Sequence, residues 1–247
     1  MLEVLYEDEQ ILAIAKPPGT HVFSITRDEA SLARKLVFSR PELGRVGDPE
    51  EPAFVHRLDQ GTSGVLVAAK DDSTFRALRK DFSSAAVHKE YLALVEGRLE
   101  ERLNVDAPLG SRYRRSQKVQ VQLPGRRLRA VRPAETRINP VRCAGDLTLC
   151  RVVIVTGVRH QIRAHLAHLK HPVVGDVLYG SSDRKGKDCL CLHAWRLGLR
   201  HPANGELLLL TCDLPDACVR RLDAEGFGEI WRSISEKSND MDFNIRT

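Results

Sequence analysis

The apolar residues of this 247-residue chain come in short runs separated by turn-forming residues, and that pattern most constrains the fold. Some runs alternate as strands do, others recur at helical spacing, and Asn204-Gly205 marks a tight turn between two of them. Strands with interspersed helices and short turns favour an α+β fold with a mixed, largely antiparallel central sheet and flanking helices. No boundary for a second domain stands out. We therefore expect one domain over residues 1–235 and a flexible polar tail over 236–247.

The individual elements are predicted from the same pattern. A capping box at Thr26 and Glu29 precedes a short helix, and Asp72 or Ser73 caps a second one. The stretch 41–52, rich in proline and glycine, is expected to form a surface loop. Predicted strands cover 4–6 and 11–14, which form a hairpin, and 53–55, 65–69, 89–97, 118–123 and 147–155. Predicted strands 195–199 and 207–211 form a second hairpin around Asn204-Gly205. Predicted helices cover 32–37, 72–86, 158–169 and 216–225.

Positive charge is concentrated in the middle of the chain. The formal net charge is +5, yet residues 98–142 hold 12 Lys or Arg and only 4 Asp or Glu. Of 38 basic residues, 28 are arginine, whose planar guanidinium matches phosphates and base edges and stacks on bases. Charge alone leaves two interpretations open: a polyanionic partner, for which nucleic acid is the best candidate, or a solvated surface.

Several function classes find no support in the sequence. No apolar run approaches the roughly 18 residues of a membrane helix, and the N-terminus is acidic, unlike a signal peptide. We therefore expect a cytoplasmic protein with no membrane partner. A phosphate loop, a dinucleotide fingerprint and a Gly-x-Ser-x-Gly elbow are all missing, so no nucleotide cofactor is expected. The six cysteines include no Cys-x-x-Cys pair and are expected to be reduced.

Four histidines between positions 160 and 171 raise the question of a metal site. On one helix, His160 and His168 would lie about 12 Å apart along the axis, too far to share an ion. His165 falls on the apolar face, and His171 precedes Pro172, where the helix should end. A zinc site, and with it a His-dependent metallohydrolase, is disfavoured, and we expect no metal.

Two segments combine residue types that could carry chemistry. Residues 56–64 place Arg57 and Asp59 in a polar turn between two apolar strands, where Asp59 could be a nucleophile or general base. Equally, Asp59 could only organise the turn through its own backbone. On the third predicted helix, Arg159 and Arg163 flank the apolar stripe. There they could reach a buried carboxylate or a phosphate, or stay solvated.

Several motifs, taken in order, resemble those of the RluA-type RNA pseudouridine synthases. His56-Arg57-Leu58-Asp59 followed by Thr62-Ser63-Gly64 resembles the family signature, and Lys16-Pro17-Pro18-Gly19 is similar to its first motif. Residues 89–97 look like the second motif, and residues 156–166 look like the third. Any one motif would be weak evidence, but their shared order, from about residue 2 to about residue 226, makes the resemblance specific.

The resemblance implies a pseudouridine synthase fold with an RNA-binding cleft and a reaction without a cofactor. The family isomerises uridine in RNA: the N-glycosidic bond breaks, the base turns, and C5 joins the sugar C1′. By position, Asp59 matches the catalytic aspartate, Tyr91 the tyrosine that stacks on the uracil, and Arg163 the basic partner of the aspartate. Arg57 resembles the arginine that fills the space of the flipped base, and flipping costs least in loops.

RNA, as tRNA or rRNA, is therefore the implied partner of a protein expected to be monomeric. The predicted RNA contacts are His56, Arg57, Lys89, Arg112, Arg114, Arg115 and Arg159. The alternative is a catalytically silent RNA-binding protein of the same fold, against which the intact catalytic residues argue.

Two departures from the family pattern bear on RNA binding. The third motif usually has arginine where Val158 stands, and here Arg159 follows it. Family members that act on ribosomal RNA often carry an N-terminal S4-like domain, whereas we expect this chain to be the catalytic domain only. We expect the basic stretch 98–142 to supply docking charge instead.

Overall fold

The computed structural model describes residues 2–24, 30–182 and 190–236. The strands, in chain order, are β1 (Glu3–Glu7), β2 (Ile11–Lys16), β3 (Gly47–Asp48), β4 (Glu51–Pro52), β5 (Ser63–Ala69), β6 (His88–Glu96), β7 (Leu103–Asp106), β8 (Leu109–Ser111), β9 (Gln120–Val121), β10 (Arg129–Arg132), β11 (Glu135–Ala144), β12 (Leu147–Ile154), β13 (Leu192–Arg200) and β14 (Leu207–Thr211). The α-helices are α1 (Leu32–Ser39), α2 (Asp72–Ser83), α3 (Gln161–His168), α4 (Asp216–Ala224) and α5 (Gly228–Glu236).

The described residues divide into two compact units. Those up to 88 and from 194 to 214 form the first unit, and those from 89 to 193 and from 215 to 236 form the second. The single domain expected from the sequence stays a prediction.

The first unit is built on a sheet in the order β1-β2-β5-β13, with β14 paired to β13. The pairs β1–β2, β2–β5 and β13–β14 are antiparallel. In the β1–β2 turn, the Asp8 carboxylate accepts the backbone N–H groups of Gln10 and Ile11, which fixes the register of the hairpin. All seven residues of β5 are buried, and α2 packs against it, so the strand lies inside the unit.

The second unit contains an antiparallel sheet in the order β6-β12-β11-β7. A smaller sheet, β10-β8-β9, lies within the arginine-rich segment, residues 98–142. Leu109, Val119 and Val121 of this region form a small core with Ala164 of α3. The helix α3, which contains the second half of the third motif, is therefore packed against the small sheet.

Much of the sequence-based prediction is confirmed. The α+β class with largely antiparallel sheets is observed, and the two predicted hairpins are β1–β2 and β13–β14. The loop 41–52 contains a 3₁₀ turn, Pro41–Arg45, and the short β3–β4 ribbon. Within the described residues, no helix is long and apolar enough to cross a membrane. Residues 237–247 of the predicted tail lie outside the described part.

The predicted strand 53–55 is wrong. Ala53 has a φ of 62°, a left-handed conformation that interrupts a β-ladder, and only the bridge between Phe54 and Ala68 forms. The segment still runs beside β5, since the Val55 N–H donates to the Val67 carbonyl at 3.1 Å. Its apolar side chains are buried without a regular strand. The predicted strand 118–123 likewise shrinks to β9.

The predicted helix caps are also corrected. Ser31 caps α1 by accepting the Arg34 N–H, while Thr26 and Glu29 lie outside the described residues. Asp71, rather than Asp72 or Ser73, caps α2 by accepting the Thr74 N–H at 2.9 Å. That helix ends at Ser83 rather than near residue 86.

The predicted helix 158–169 begins later than expected, and this changes how its cations are placed. His160 has a φ of 55°, which no continuous α-helix contains, so α3 starts at Gln161. The Gln161 side-chain oxygen accepts the Val158 N–H at 3.1 Å and thereby folds the preceding turn onto the helix start. Arg159 therefore precedes the helix, and only Arg163 lies on it.

Candidate active site

Asp59 lies in the turn before β5, in the first unit. Its carbonyl accepts the Thr62 N–H at 3.1 Å, which closes the turn, and its side chain is partly exposed. The neighbouring Gln60 exchanges two hydrogen bonds with Gly19: the Gly19 N–H donates to Gln60 at 2.9 Å, and the Gln60 amide donates to Gly19 at 3.1 Å. The first motif and the signature motif are thus held against each other.

Lys16, at the end of β2, holds this turn by hydrogen bonds from its buried side chain. Its side chain is 1% exposed, and its ammonium donates to the carbonyls of Pro17 at 2.9 Å, Gln60 at 2.9 Å and Thr62 at 2.7 Å. Burial lowers the pKa of Lys16 to about 8, and the nearby Asp59 carboxylate partly opposes that shift. All three ammonium N–H groups have protein acceptors, so the buried cation fixes the loop that carries Asp59.

Gly64 allows a close approach within the signature motif. Its φ is +119°, and an added Cβ would lie 2.1 Å from the carbonyl oxygen of Ala194. A side chain cannot be placed there without moving backbone. The glycine of Thr62-Ser63-Gly64 is therefore required by packing at the start of β5.

His56 and Arg57 have different surroundings. The His56 ring stacks on Phe82 with centroids 4.4 Å apart, and its Nε2 accepts the Val67 N–H at 3.0 Å. Arg57 keeps 62% of its side chain exposed and lies 3.8 Å from Glu51. The predicted RNA role thus suits the exposed Arg57 more directly than His56, whose ring supports the turn.

Tyr91 lies on β6 of the second unit, opposite Val152 of β12, and is 9% exposed. Lys89, two residues earlier, is 7% exposed, and its ammonium lies 3.5 Å from the Val155 carbonyl. Burial lowers the pKa of Lys89 to about 8. An RNA contact by Lys89 stays a prediction, since its side chain is mostly enclosed by protein.

Arg163, on α3, forms a bidentate ion pair that sequence reasoning missed. Its Nε and Nη2 donate to the two Asp176 oxygens at 2.7 and 2.9 Å. Asp176 is 2% exposed, so this is a largely buried pair with fixed geometry. The pair uses two of the five guanidinium N–H groups. The pairing of Arg163 with Asp59, implied by the family resemblance, stays a prediction.

Tyr179 connects Arg163 to the small sheet. The Arg163 guanidinium lies 5.1 Å from the Tyr179 ring centroid. The Tyr179 hydroxyl accepts the Val119 N–H at 2.9 Å, donates to the Val119 carbonyl at 3.1 Å, and lies 3.2 Å from His160 Nδ1. Orientation of Arg163 is therefore tied to the segment that carries the exposed arginines.

The other predicted contacts lie in that segment. Arg112, Arg114 and Arg115 are exposed on the turn between β8 and β9. Arg159 donates to the Ser116 carbonyl at 2.7 Å. The arginine that follows Val158 in the third motif therefore joins the residues just before α3 to this turn.

His165, in the third motif, has two protein partners. His165 Nδ1 lies 2.8 Å from the Thr136 hydroxyl, and its Nε2 lies 2.9 Å from the Ala107 carbonyl. Burial lowers its pKa, which favours the neutral ring. In the part of the chain that the structure describes, no group of three or more His, Cys, Asp or Glu side chains could hold an ion.

Comparison with known proteins assigns a family to the segment that carries these motifs. The family described as RNA pseudouridylate synthase matches residues 10–168. The chain belongs to this family. Its members are isomerases, and the enzyme class expected from the motifs is confirmed at the level of the family.

Individual relatives agree with that assignment. The chain is 34% identical to the ribosomal large subunit pseudouridine synthase D of Nitrosomonas europaea, covering 90% of this chain and 65% of the relative. It is 35% identical to the ribosomal large subunit pseudouridine synthase C of Escherichia coli O157:H7, covering 89% and 68%. The chain thus spans about two thirds of these relatives' length. The structure of human RNA pseudouridylate synthase domain containing 4 superposes with a TM-score of 0.70, 27% identity and coverage of 90% and 92%.

Proposed function

We propose that this protein isomerises uridine to pseudouridine at specific positions in structured RNA, with Asp59 as the nucleophile and without a cofactor. The observation that carries the proposal is the turn around Asp59, which Lys16 anchors by three hydrogen bonds. A nucleophile must be held in a near-attack position, and this turn is fixed by buried protein contacts rather than by solvent. Membership of the pseudouridylate synthase family supports the reaction.

The reaction requires no external electron or group donor. The bond between uracil N1 and C1′ breaks, the base turns, and a bond between C5 and C1′ forms. The C5 hydrogen leaves as a proton, and N1 gains one, so product and substrate are isomers. Asp59 attacks either C1′ of the sugar or the uracil base, and this covalent bond is released when C5 joins C1′. Tyr91 stacks on the uracil and is the candidate for removing the C5 proton.

Arg163 and Arg57 have supporting roles in this proposal. Arg163 supplies positive charge that favours an ionised carboxylate, and Asp176 and Tyr179 hold its guanidinium in one orientation. Arg57, which is 62% exposed, occupies the space of the flipped uridine. Flipping costs a few kcal/mol and least in single strands, which favours loop uridines.

The substrate is proposed to be a loop of rRNA or tRNA. The names of two relatives specify the large ribosomal subunit, which supports rRNA for this chain. The exposed arginines of residues 98–142 provide the docking charge. Monomeric state and a cytoplasmic location complete the proposal.

Mapping pseudouridine in cellular RNA tests the proposal. RNA is compared from a strain that lacks the gene and from the same strain rescued with the wild type, with Asp59→Ala or with Asp213→Ala. Asp213 is an exposed aspartate of the same unit and serves as the matched control. We expect one or a few pseudouridines to disappear and to return with the wild type and Asp213→Ala only.

Two outcomes would contradict the proposal. Restoration by Asp59→Ala would remove Asp59 as nucleophile. If every site persists in the deletion strain, purified protein is assayed on the same RNAs. RNA binding without pseudouridine formation would then identify a catalytically silent binder.

A further inference from the structure

Tyr113 is the exposed aromatic residue of the arginine-rich segment. Its side chain is 63% exposed, although tyrosine can bury a large apolar ring. Tyr6 and Tyr179 are partly buried, and Tyr91 is buried, so Tyr113 differs from the other three tyrosines of the chain. An exposed ring at this place has no role in the core.

The turn that carries Tyr113 is held in one conformation. The Tyr113 N–H donates to the Ser116 hydroxyl at 2.8 Å, and the Ser116 N–H donates to the Tyr113 carbonyl at 3.2 Å. Arg159 then donates to the Ser116 carbonyl at 2.7 Å, which ties the turn to the start of α3. The ring is therefore presented on an ordered backbone, and a ligand need not pay the full entropy of ordering a loop.

Four exposed cations share the turn with the ring. Arg112, Arg114, Arg115 and Lys118 are exposed on the same turn. The Arg112 guanidinium lies 5.5 Å from the Tyr113 ring centroid. An aromatic face with a guanidinium beside it, in a field of positive charge, matches an unpaired nucleotide, which offers both a planar base and a phosphate.

We propose that Tyr113, supported by Arg112, stacks on an unpaired nucleobase of the RNA other than the target uridine. The inference rests on the RNA substrate proposed above and adds a site for a flanking nucleotide. Base stacking on an aromatic side chain needs an open base face, which a duplex does not offer. The turn thus selects single-stranded or looped RNA, while its arginines bind phosphates of any RNA.

The test uses the full chain and two RNA probes. One probe is a 12-nucleotide oligoadenylate with a central 2-aminopurine, whose fluorescence falls when the base stacks on an aromatic ring. The other is an end-labelled 16-base-pair RNA duplex. The variants are Tyr113→Ala and Tyr113→Phe. Phe38→Ala is the matched control, because Phe38 is 90% exposed and lies in α1 of the first unit, near Arg34 and Lys35 in sequence.

We expect Tyr113→Ala to bind the oligoadenylate about 5-fold more weakly or worse, and to lose the quenching. Tyr113→Phe retains both. The slope of log affinity against log salt stays at the wild-type value in Tyr113→Ala, because no phosphate contact is removed. Affinity for the duplex is unchanged, and Phe38→Ala behaves as the wild type on both probes.

Three results would overturn the inference: wild-type affinity and quenching in Tyr113→Ala, an equal loss on the duplex, or an equal loss in Phe38→Ala. Pseudouridine formation by the wild type, measured on the same preparations, separates this inference from the proposed function. If the wild type forms pseudouridine and Tyr113→Ala binds and quenches like the wild type, only the stacking site is refuted. An inactive wild type with Tyr113-dependent binding refutes only the isomerase.

Discussion

The turn around Asp59 and the turn 112–116 both have cations at or within them, but these cations differ in their burial. Lys16 is 1% exposed and donates to three backbone carbonyls, which hold the turn around Asp59. Arg112, Arg114 and Arg115 are exposed to solvent. Formal charge alone gives no reason to treat these residues differently.

The comparison separates two uses of the same charge. A buried cation with a full set of acceptors acts through geometry and is shielded from salt. Exposed cations act through long-range attraction and counterion release, which salt weakens. Substitutions at Lys16 should therefore affect the chemical step, and substitutions in the exposed turn should affect RNA affinity and its salt dependence.

The largest expected effect is that of Lys16→Met. Methionine keeps the length of the side chain but leaves the carbonyls of Pro17, Gln60 and Thr62 without their donor. A displacement of about 1 Å at a catalytic group can cost about 10²-fold in rate, and we expect a loss of that size. RNA affinity should change by less than about 3-fold, since no phosphate contact is lost.

Single-turnover rates and RNA binding, measured on the RNA identified by mapping, test this prediction. Lys80→Met is the control, because Lys80 is an exposed lysine of α2 in the same unit. Circular dichroism verifies that both variants are folded. A full rate in folded Lys16→Met would show that the buried lysine does not position the turn.

A smaller effect is expected for the triple substitution of Arg112, Arg114 and Arg115 by glutamate. RNA affinity should fall about tenfold or more at moderate salt, and the salt slope should flatten by about 0.7 for each lost contact to single-stranded RNA. The rate at saturating RNA should fall far less than the affinity. Titrations at several salt concentrations measure both quantities.

A second triple variant separates position from net charge. Arg76, Lys80 and Arg220 are exposed basic residues outside the turn, and their replacement by glutamate changes the net charge equally. We expect it to lower affinity much less. Equal losses in the two variants would mean that the whole-protein field, not the turn 112–116, attracts RNA.

The smallest effect is expected from pH. The pKa of Lys16 is lowered to about 8, so its ammonium loses a proton as pH rises through that value. Activity should fall to about half near pH 8 and continue downward. Stability should change in the opposite direction, because the unfolded chain binds more protons between about pH 8 and the ordinary lysine pKa. The loss of activity is therefore not unfolding by this group.

Lys89 has a pKa of about 8 as well, so the pH profile is repeated with Lys89→Arg. Arginine does not titrate in this range. Persistence of the alkaline decline in Lys89→Arg is expected if Lys16 causes it, and its disappearance would assign it to Lys89 instead.

The sequence predicts the motifs and several elements well, for physical reasons. Alternation and tight turns are local, so the β1–β2 and β13–β14 hairpins are predictable from residues that lie near one another. The signature around Asp59 is likewise a continuous segment. Family membership follows from such segments in order.

Contacts between distant segments are harder to predict. Nothing in the run Lys16-Pro17-Pro18-Gly19 shows that the lysine turns inward to Thr62, 46 residues later. The Arg163–Asp176 pair also joins α3 to the loop that follows it, across 13 residues. In β11, Pro140 lowers strand propensity, yet a register shift between Pro140 and Arg142 accommodates it. Left-handed His160 moves the helix start in a way that periodicity does not reveal.

The hydroxyl of Tyr179 has a consequence for one edge of the small sheet. It accepts the N–H of Val119 and donates to the carbonyl of the same residue, as the backbone of a neighbouring strand would. Val119 directly precedes β9, which is an edge strand of the order β10-β8-β9. Unpaired edges invite pairing with other chains. A single phenol thus satisfies both backbone groups of Val119, which an incoming strand would otherwise use at this edge.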